Sequence, residues 1–144
     1  MLNKTKKLLI FGTGDFAELA HFYFSTESEY EVVAFTADDQ YVHKNEGGFC
    51  GKPVFKFKNI TSKYPPDEHY MFIAIGYSSV NKVRAEKYRI AKEKGYKFAI
   101  FVSPKATNYS DSIGENCFIF EDNTIQPFVE IGNNVILWSG NHIG

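Results

Sequence analysis

Apolar residues fall along the chain in two unlike patterns. Over residues 7–102 they come in short continuous runs: Leu8-Leu9-Ile10-Phe11, Val32-Val33-Ala34-Phe35 and Met71-Phe72-Ile73-Ala74-Ile75. Runs of this length predict strands buried on both faces, as in a parallel sheet covered by helices. The first and third end at Gly12 and Gly76, and the second is followed by Asp38-Asp39. Between them the spacing turns helical. Asp15 opens a stretch that places Phe16, Leu19, Ala20 and Tyr23 on one face. A longer helix is predicted over residues 79–94, with Val80, Val83, Ile90 and Ala91 as its apolar stripe and Gly95 at its C-cap. Lys97 to Val102 reads as a fourth strand, closed by Ser103-Pro104. Residues 41–66, interrupted by Gly47-Gly48, Gly51, Pro53 and Pro65-Pro66, read as irregular. Strand–helix alternation of this kind predicts an α/β unit, a small parallel sheet with right-handed crossovers and flanking helices.

Beyond residue 104 the period changes. Ile113, Ile119, Ile125, Ile131, Leu137 and Ile143 recur every six residues. An even period keeps these side chains on one face of extended segments and excludes a helix. Val129 and Val135 add a second apolar position, and Asn116, Asn123 and Asn133-Asn134 mark turns. A meander of short strands would not hold this register; a hexapeptide-repeat parallel β-helix does. The expected organisation is therefore an α/β domain over 1–104 and the start of a β-helix over 105–144. Three hexads make one triangular coil, so residues 113–144 are expected to hold fewer than two coils of an incomplete β-helix.

Composition narrows the classes. Sixteen Lys+Arg against seventeen Asp+Glu leave a formal charge of -1, with no footprint for nucleic acid or an anionic membrane. The run Leu8–Phe11 after Lys4, Lys6 and Lys7 is too short for a signal-peptide core, and no stretch has transmembrane length. Cys50 and Cys117 are far apart and lack metal-site spacing, which fits reduced thiols in a cytoplasmic protein without a bound metal.

Gly12-Thr13-Gly14-Asp15-Phe16-Ala17 joins the first strand to the first helix. Glycines here permit a tight turn and close backbone approach to a ligand, and a helix N-terminus offers N–H groups and partial positive charge to phosphate. An acid at the end of the second strand, Asp38 or Asp39, is placed to bond ribose hydroxyls. Asp15 suits the helix dipole but would repel a diphosphate, so it is either an N-cap or a ligand contact. Gly76-Tyr77-Ser78-Ser79-Val80-Asn81 follows the third strand and should face the same crevice. Tyr77 is placed to stack on a base, and Asn81 and Arg84 to reach phosphate or sugar. Alternatively these residues form only a polar helix start with Ser79 as N-cap.

The glycine loop, Ala37-Asp38-Asp39, Gly51-Lys52-Pro53-Val54, Ile73-Ala74-Ile75-Gly76 and the hexads occur in an order that resembles the sialic acid O-acetyltransferase and bacillosamine N-acetyltransferase family of sugar acyltransferases. The resemblance runs from Lys7 to Gly144. It implies a Rossmann-like domain that binds a UDP- or dTDP-linked sugar, followed by a left-handed β-helix that forms homotrimers and binds acetyl-CoA between subunits. It also implies acyl transfer to a sugar amine or hydroxyl in surface-glycan biosynthesis. Gly12, Gly14, Asp38, Gly76 and Asn81 match nucleotide-binding positions, whereas Asp15 and Phe16 stand where the family often has a small residue and a histidine. The implied general base is a β-helix histidine. His142 is the candidate, with the family's own base expected beyond Gly144, so that this chain carries the nucleotide-sugar part without the acyl-CoA site. His21, His43 and His69 are expected to be solvated or packed. Two other classes compete: a non-catalytic nucleotide-sugar-binding module, and an NAD(P)-linked oxidoreductase, against which the hexads argue.

Overall fold

The computed structural model describes residues 3–76 and 81–144. The chain divides into two compact units, Met1–Lys97 and Phe98–Gly144. In the first, β1 (Lys6–Phe11), α1 (Asp15–Glu27), β2 (Tyr30–Ala37), α2 (Asp39–Lys44), β3 (Val54–Lys56), α3 (Ile60–Lys63), β4 (Tyr70–Ile73) and α4 (Asn81–Glu93) follow one another, and β5 (Lys97–Phe98) completes the sheet. Sheet order is β3-β2-β1-β4-β5, with β1 parallel to both β2 and β4 and β2 parallel to β3. The order reverses at β1, which places a crevice at the carboxyl ends of β1 and β4. Leu8, Leu9, Ile10, Phe35, Phe72 and Ile73 are fully buried, which explains why these strands are continuously apolar.

Local chemistry fixes the helices. Gly14 is the N-cap of α1, and the first intrahelical bond runs from Glu18 N–H to its carbonyl. The buried face of α1 is Phe16, Ala17, Ala20 and Phe24, rotated from the expected one. Phe24 turns it inward, meeting Tyr30 and Phe72 edge to face at 5.5 and 5.3 Å, while Leu19 is exposed. At the other end of the unit Gly95 (φ +101°) closes α4 in a Schellman motif. Gly95 N–H donates to the Lys92 carbonyl and Tyr96 N–H to the Ala91 carbonyl. Residues 41–66, expected to be irregular, contain α2, β3, a 3-10 turn at Phe57–Asn59 and α3. These elements are three to six residues long, too short for a readable period.

The second unit is built from two-residue strands: β6 (Phe101–Val102), β7 (Thr107–Asn108), β8 (Ser112–Ile113), β9 (Phe118–Ile119), β10 (Thr124–Ile125), β11 (Glu130–Ile131), β12 (Ile136–Leu137) and β13 (His142–Ile143). They stack in parallel as β6-β9-β12, β7-β10-β13 and β8-β11, the three faces of a left-handed β-helix. Ile119, Ile125 and Ile131 fill its core with Cys117, and Val129 and Val135 pack against them. Fully buried Asn123 ties three coils together. Its Nδ2 donates to the Phe120 and Leu137 carbonyls, its Oδ1 accepts Asn141 N–H, and its backbone carbonyl accepts Thr107 N–H. The corners share one conformation: Asn116, Asp122, Phe128, Asn134 and Gly140 all have φ between +57 and +85°.

Phe101–Val102 departs from the expected fourth sheet strand. It lies under Phe118–Ile119 as the first rung of the β-helix, and the sheet takes only Lys97–Phe98. The β-helix consequently holds two full coils and part of a third, not fewer than two. The first coil escapes the hexad pattern for two reasons. Ile125 stacks on a polar residue, Asn108, and the corner between β7 and β8 is one residue short, so Thr107 lies 17 residues from its partner Thr124 while Ser112 lies 18 from Glu130. Both cysteines are free thiols.

Candidate functional site

A cavity of about 410 Å³ opens at the carboxyl ends of β1, β2 and β4. Its floor is the glycine turn. Gly12 has φ +126°, its N–H donates to the Thr36 carbonyl at 2.9 Å, and a Cβ there would lie 2.7 Å from the Ala74 carbonyl oxygen. Only a residue without a side chain lets the loop lie this close to β4. Thr13, Gly14, Asp15 and Phe16 continue the wall, so the first turn of α1 presents N–H groups that have no intrahelical acceptor.

The expected site residues separate into groups. Gly12, Thr13, Gly14, Asp15, Phe16, Asp38 and Gly76 line this one cavity. Asp15 is the first residue of α1 and not its N-cap, a position held by Gly14. Phe16 is largely buried, 6.0 Å edge to face from Phe72, and shows only part of its ring to the cavity. The two acids after β2 diverge. Asp38 borders the cavity, whereas Asp39 turns to Lys58 at 2.9 Å, and the hydrogen bond from Lys58 holds its carboxyl below the usual carboxylate range. Arg84 does not line the cavity. Its side chain is buried, Nη1 donates to the Ile73 and Ile75 carbonyls at 2.8 and 2.9 Å, and its guanidinium lies over the Phe16 and Phe72 rings. The role expected for it at phosphate or sugar is replaced by a structural one, fastening the end of β4. Asn81 is the first residue of α4. Tyr77 and Ser79 lie outside the described residues.

Lys87, like Gln40 and Tyr41, is a cavity residue that the sequence did not single out. It is one of several lysines on α4, and only the fold shows that it faces inward with Val83. Its Nζ donates to Asp38 Oδ1 at 2.8 Å and sits 5.4 and 5.7 Å from the Phe11 and Phe57 ring centroids. The available signal was spacing: Val83 and Lys87 are four residues apart, on one helix face. Tyr41, Ala37 and Ile75 complete a wall that is more apolar than polar. The cavity thus combines phosphate-compatible N–H groups, an acid for hydroxyl groups and flat apolar surface for a ring.

The histidines are dispersed. His21 is partly buried beside the Phe35 ring, and burial lowers its pKa. His43 lies 3.6 Å from Glu46, and His69 Nδ1 is 2.9 Å from the Pro65 carbonyl. His142 is exposed on β13, beside Thr124. Among the described residues no three His, Cys, Asp or Glu side chains are grouped to hold a metal, and no helix is long and apolar enough to cross a membrane.

Residues 7–90 match the PglD N-terminal domain, more than half of the chain. The chain belongs to this family. Residues 112–144 also match the bacterial transferase hexapeptide repeat. The PglD-type architecture recurs in solved structures. The acetyltransferase domain of PglB from Neisseria gonorrhoeae superposes with a TM-score of 0.79 at 18% identity, over 96% of this chain and 65% of that one. The same domain in complex with acetyl coenzyme A gives 0.77 at 19% identity, over 96% and 64%. PerB from Caulobacter crescentus, in complex with CoA and GDP-perosamine, gives 0.71 at 20% identity, over 94% and 63%. At these identities the likeness is one of fold, and this PglD-family chain spans less than two thirds of each solved chain. No curated protein matches it by sequence.

Proposed function

We propose that this chain supplies the nucleotide-sugar site, and the first coils of the β-helix, of an acyltransferase that moves an acetyl group from acetyl-CoA to an amine or hydroxyl of a nucleotide-linked sugar. The setting is surface-glycan biosynthesis in the cytoplasm, and the assembly is a homotrimer. The observation that carries this is the cavity itself: the glycine turn, the first turn of α1 and Asp38 converge at the sheet's switch point, in a chain of the PglD N-terminal domain family. The ligands of the structural neighbours, acetyl coenzyme A with PglB and CoA and GDP-perosamine with PerB, support the same class of reaction.

In this scheme the diphosphate lies against the N–H groups of Gly14, Asp15 and Phe16, and Asp38 accepts hydrogen bonds from the ribose. In the acyl-transfer step a β-helix histidine takes the proton of the attacking amine or hydroxyl. His142 is the candidate within this chain. A UDP-, GDP- or dTDP-linked amino sugar is the expected ligand. Calorimetric titration of the chain with these three, beside NAD and acetyl-CoA, is the test. Saturable binding of a nucleotide-sugar supports the proposal, and saturable binding of NAD alone overturns it. Binding of the sugar nucleotide without acetyl-CoA would assign this polypeptide to the binding step only.

A further inference from the structure

From the charges of the cavity wall we infer that Asp15 selects the ligand by its phosphate charge. Its carboxylate lets the cavity take a diphosphate closed at both ends by sugars and turns away the free nucleoside di- or triphosphate. The inference rests on the nucleotide site proposed above and adds to it a rule for rejecting ligands of the same base and ribose.

An anion site at a helix N-terminus ordinarily combines N–H donors with net positive charge. Here the two are separated. Gly14, Asp15 and Phe16 bring N–H groups to the cavity, but the first turn of α1 also carries two acids, Asp15 and Glu18. Their charge exceeds the roughly half a positive charge that a helix end supplies. The rest of the wall does not redress the balance. Its only other charged residues are Asp38 and Lys87, which neutralise each other at 2.8 Å. Arg84 is buried outside the wall with Nη1 on the Ile73 and Ile75 carbonyls, and residues 77–80 contain no lysine or arginine. Asp15 itself is exposed, and among the described residues no cation forms a salt bridge with it.

Covalent geometry fixes the reach of this charge. Asp15 contributes one of the N–H groups, so its carboxylate lies within about 5 Å of that nitrogen in any rotamer. A phosphate bound there is held inside the roughly 10 Å over which charges act at about 0.1 M salt. The two phosphates of a nucleotide-sugar are diesters and carry one negative charge each. A free nucleoside diphosphate ends in a phosphate with a second ionisation near about 6, and so bears one charge more at neutral pH. A triphosphate bears more still. All three offer the same oxygens to the N–H groups, so hydrogen bonding does not tell them apart, and charge does. In an exposed site, between the dielectric of water and that of a protein surface, each extra charge should cost about 3- to 10-fold in affinity.

The experiment is calorimetric titration of the whole chain with UDP-glucose, UDP and UTP, and with GDP-mannose, GDP and GTP. EDTA is present throughout, because divalent cations would mask the phosphate charge. At about 0.01 M salt, Asp15→Asn should raise the affinity for the free diphosphate about 3- to 10-fold more than that for its sugar-linked form, and the triphosphate should gain further. Asp15→Glu, which keeps the charge, should retain the wild-type ratio. At about 1 M salt, where charges reach only about 3 Å, wild type and Asp15→Asn should converge. Were Asp15 needed only for α1, Asp15→Asn would change both ligands of a pair equally, which overturns the inference. Should Asp15→Asn not fold, the wild type carries the same comparison: its preference for the sugar-linked form should fall between about 0.01 and 1 M salt, and a constant preference overturns the inference. If none of the six ligands binds the wild-type chain, the nucleotide site itself is refuted. Binding with a ratio indifferent to residue 15 refutes only the role of Asp15.

Discussion

A methyl group at Gly12 would press on the Ala74 carbonyl oxygen at 2.7 Å, and at φ +126° no L side chain is comfortable in any case. Backbone on both sides is held by the sheet, so neither partner can retreat. Gly12→Ala is expected to destabilise the first unit by about 2 kcal/mol or more, read from the urea midpoint at constant m-value. It should also weaken nucleotide binding, because the loop that must approach the ligand is displaced. Phe128 presents the opposite case. It is 97% exposed and has φ +71° at a corner where its counterparts are asparagine, aspartate or glycine. Its ring contributes almost no burial to offset a left-handed conformation that costs a branched or bulky residue about 1 kcal/mol. Phe128→Gly should therefore leave stability unchanged or raise it by about 0.5–1 kcal/mol, where an ordinary Phe→Gly change lowers it. A clear loss in thermal unfolding would show that the ring is packed in solution.

At the scale of elements, the end of α4 connects capping to titration. Tyr96 follows the Schellman glycine, is 3% exposed, and its hydroxyl donates to the Tyr64 carbonyl ahead of β4. Burial pushes its pKa up to about 12. An acid whose folded pKa is raised favours the fold fully below its unfolded value near 10, and that contribution is lost as pH rises from about 10 through 12. The loss is on the order of 2 kcal/mol. Tyr96→Phe should be the less stable protein at pH 8, lacking the hydrogen bond, and should close the gap with wild type by pH 12. Chemical denaturation at both pH values measures it. The same helix shows how far sequence could be read. Its C-terminus was legible because Gly95 is a strong local stop. Which residue of its inner face meets the cavity was not, since Arg84 and Lys87 are both long cations and only the neighbours decide. Arg84 finds two carbonyls at the end of β4; Lys87 finds Asp38. The buried strands β1, β2 and β4 and the hexads from Ile113 were legible from periodicity alone. The short elements between residues 41 and 66 and the rung at Phe101–Val102 depend on contacts with distant strands, which no local pattern records.

For the molecule as a whole, the two units carry separate reporters. Among the described residues the four α-helices lie in Met1–Lys97, and the single tryptophan, Trp138, lies in Phe98–Gly144, stacked on Phe120 at 4.5 Å. Far-ultraviolet dichroism at the helical band therefore follows the unit that holds the cavity, and tryptophan fluorescence follows the β-helix. A nucleotide held at one hundred times its Kd should stabilise the helical transition by about 2.7 kcal/mol. A helical transition that does not move with ligand would argue that the cavity is not where the nucleotide binds. The stacking of the second unit carries a kinetic consequence. Stacked strands there are 17 or 18 residues apart, Thr107 under Thr124 and Phe118 under Ile136. Closure entropy depends on the length of the loop closed, so every added strand faces nearly the same cost, and the preceding coil is its template. Most β architectures fold slowly because their strands pair across long stretches of chain. This one grows like a zipper, one short loop at a time.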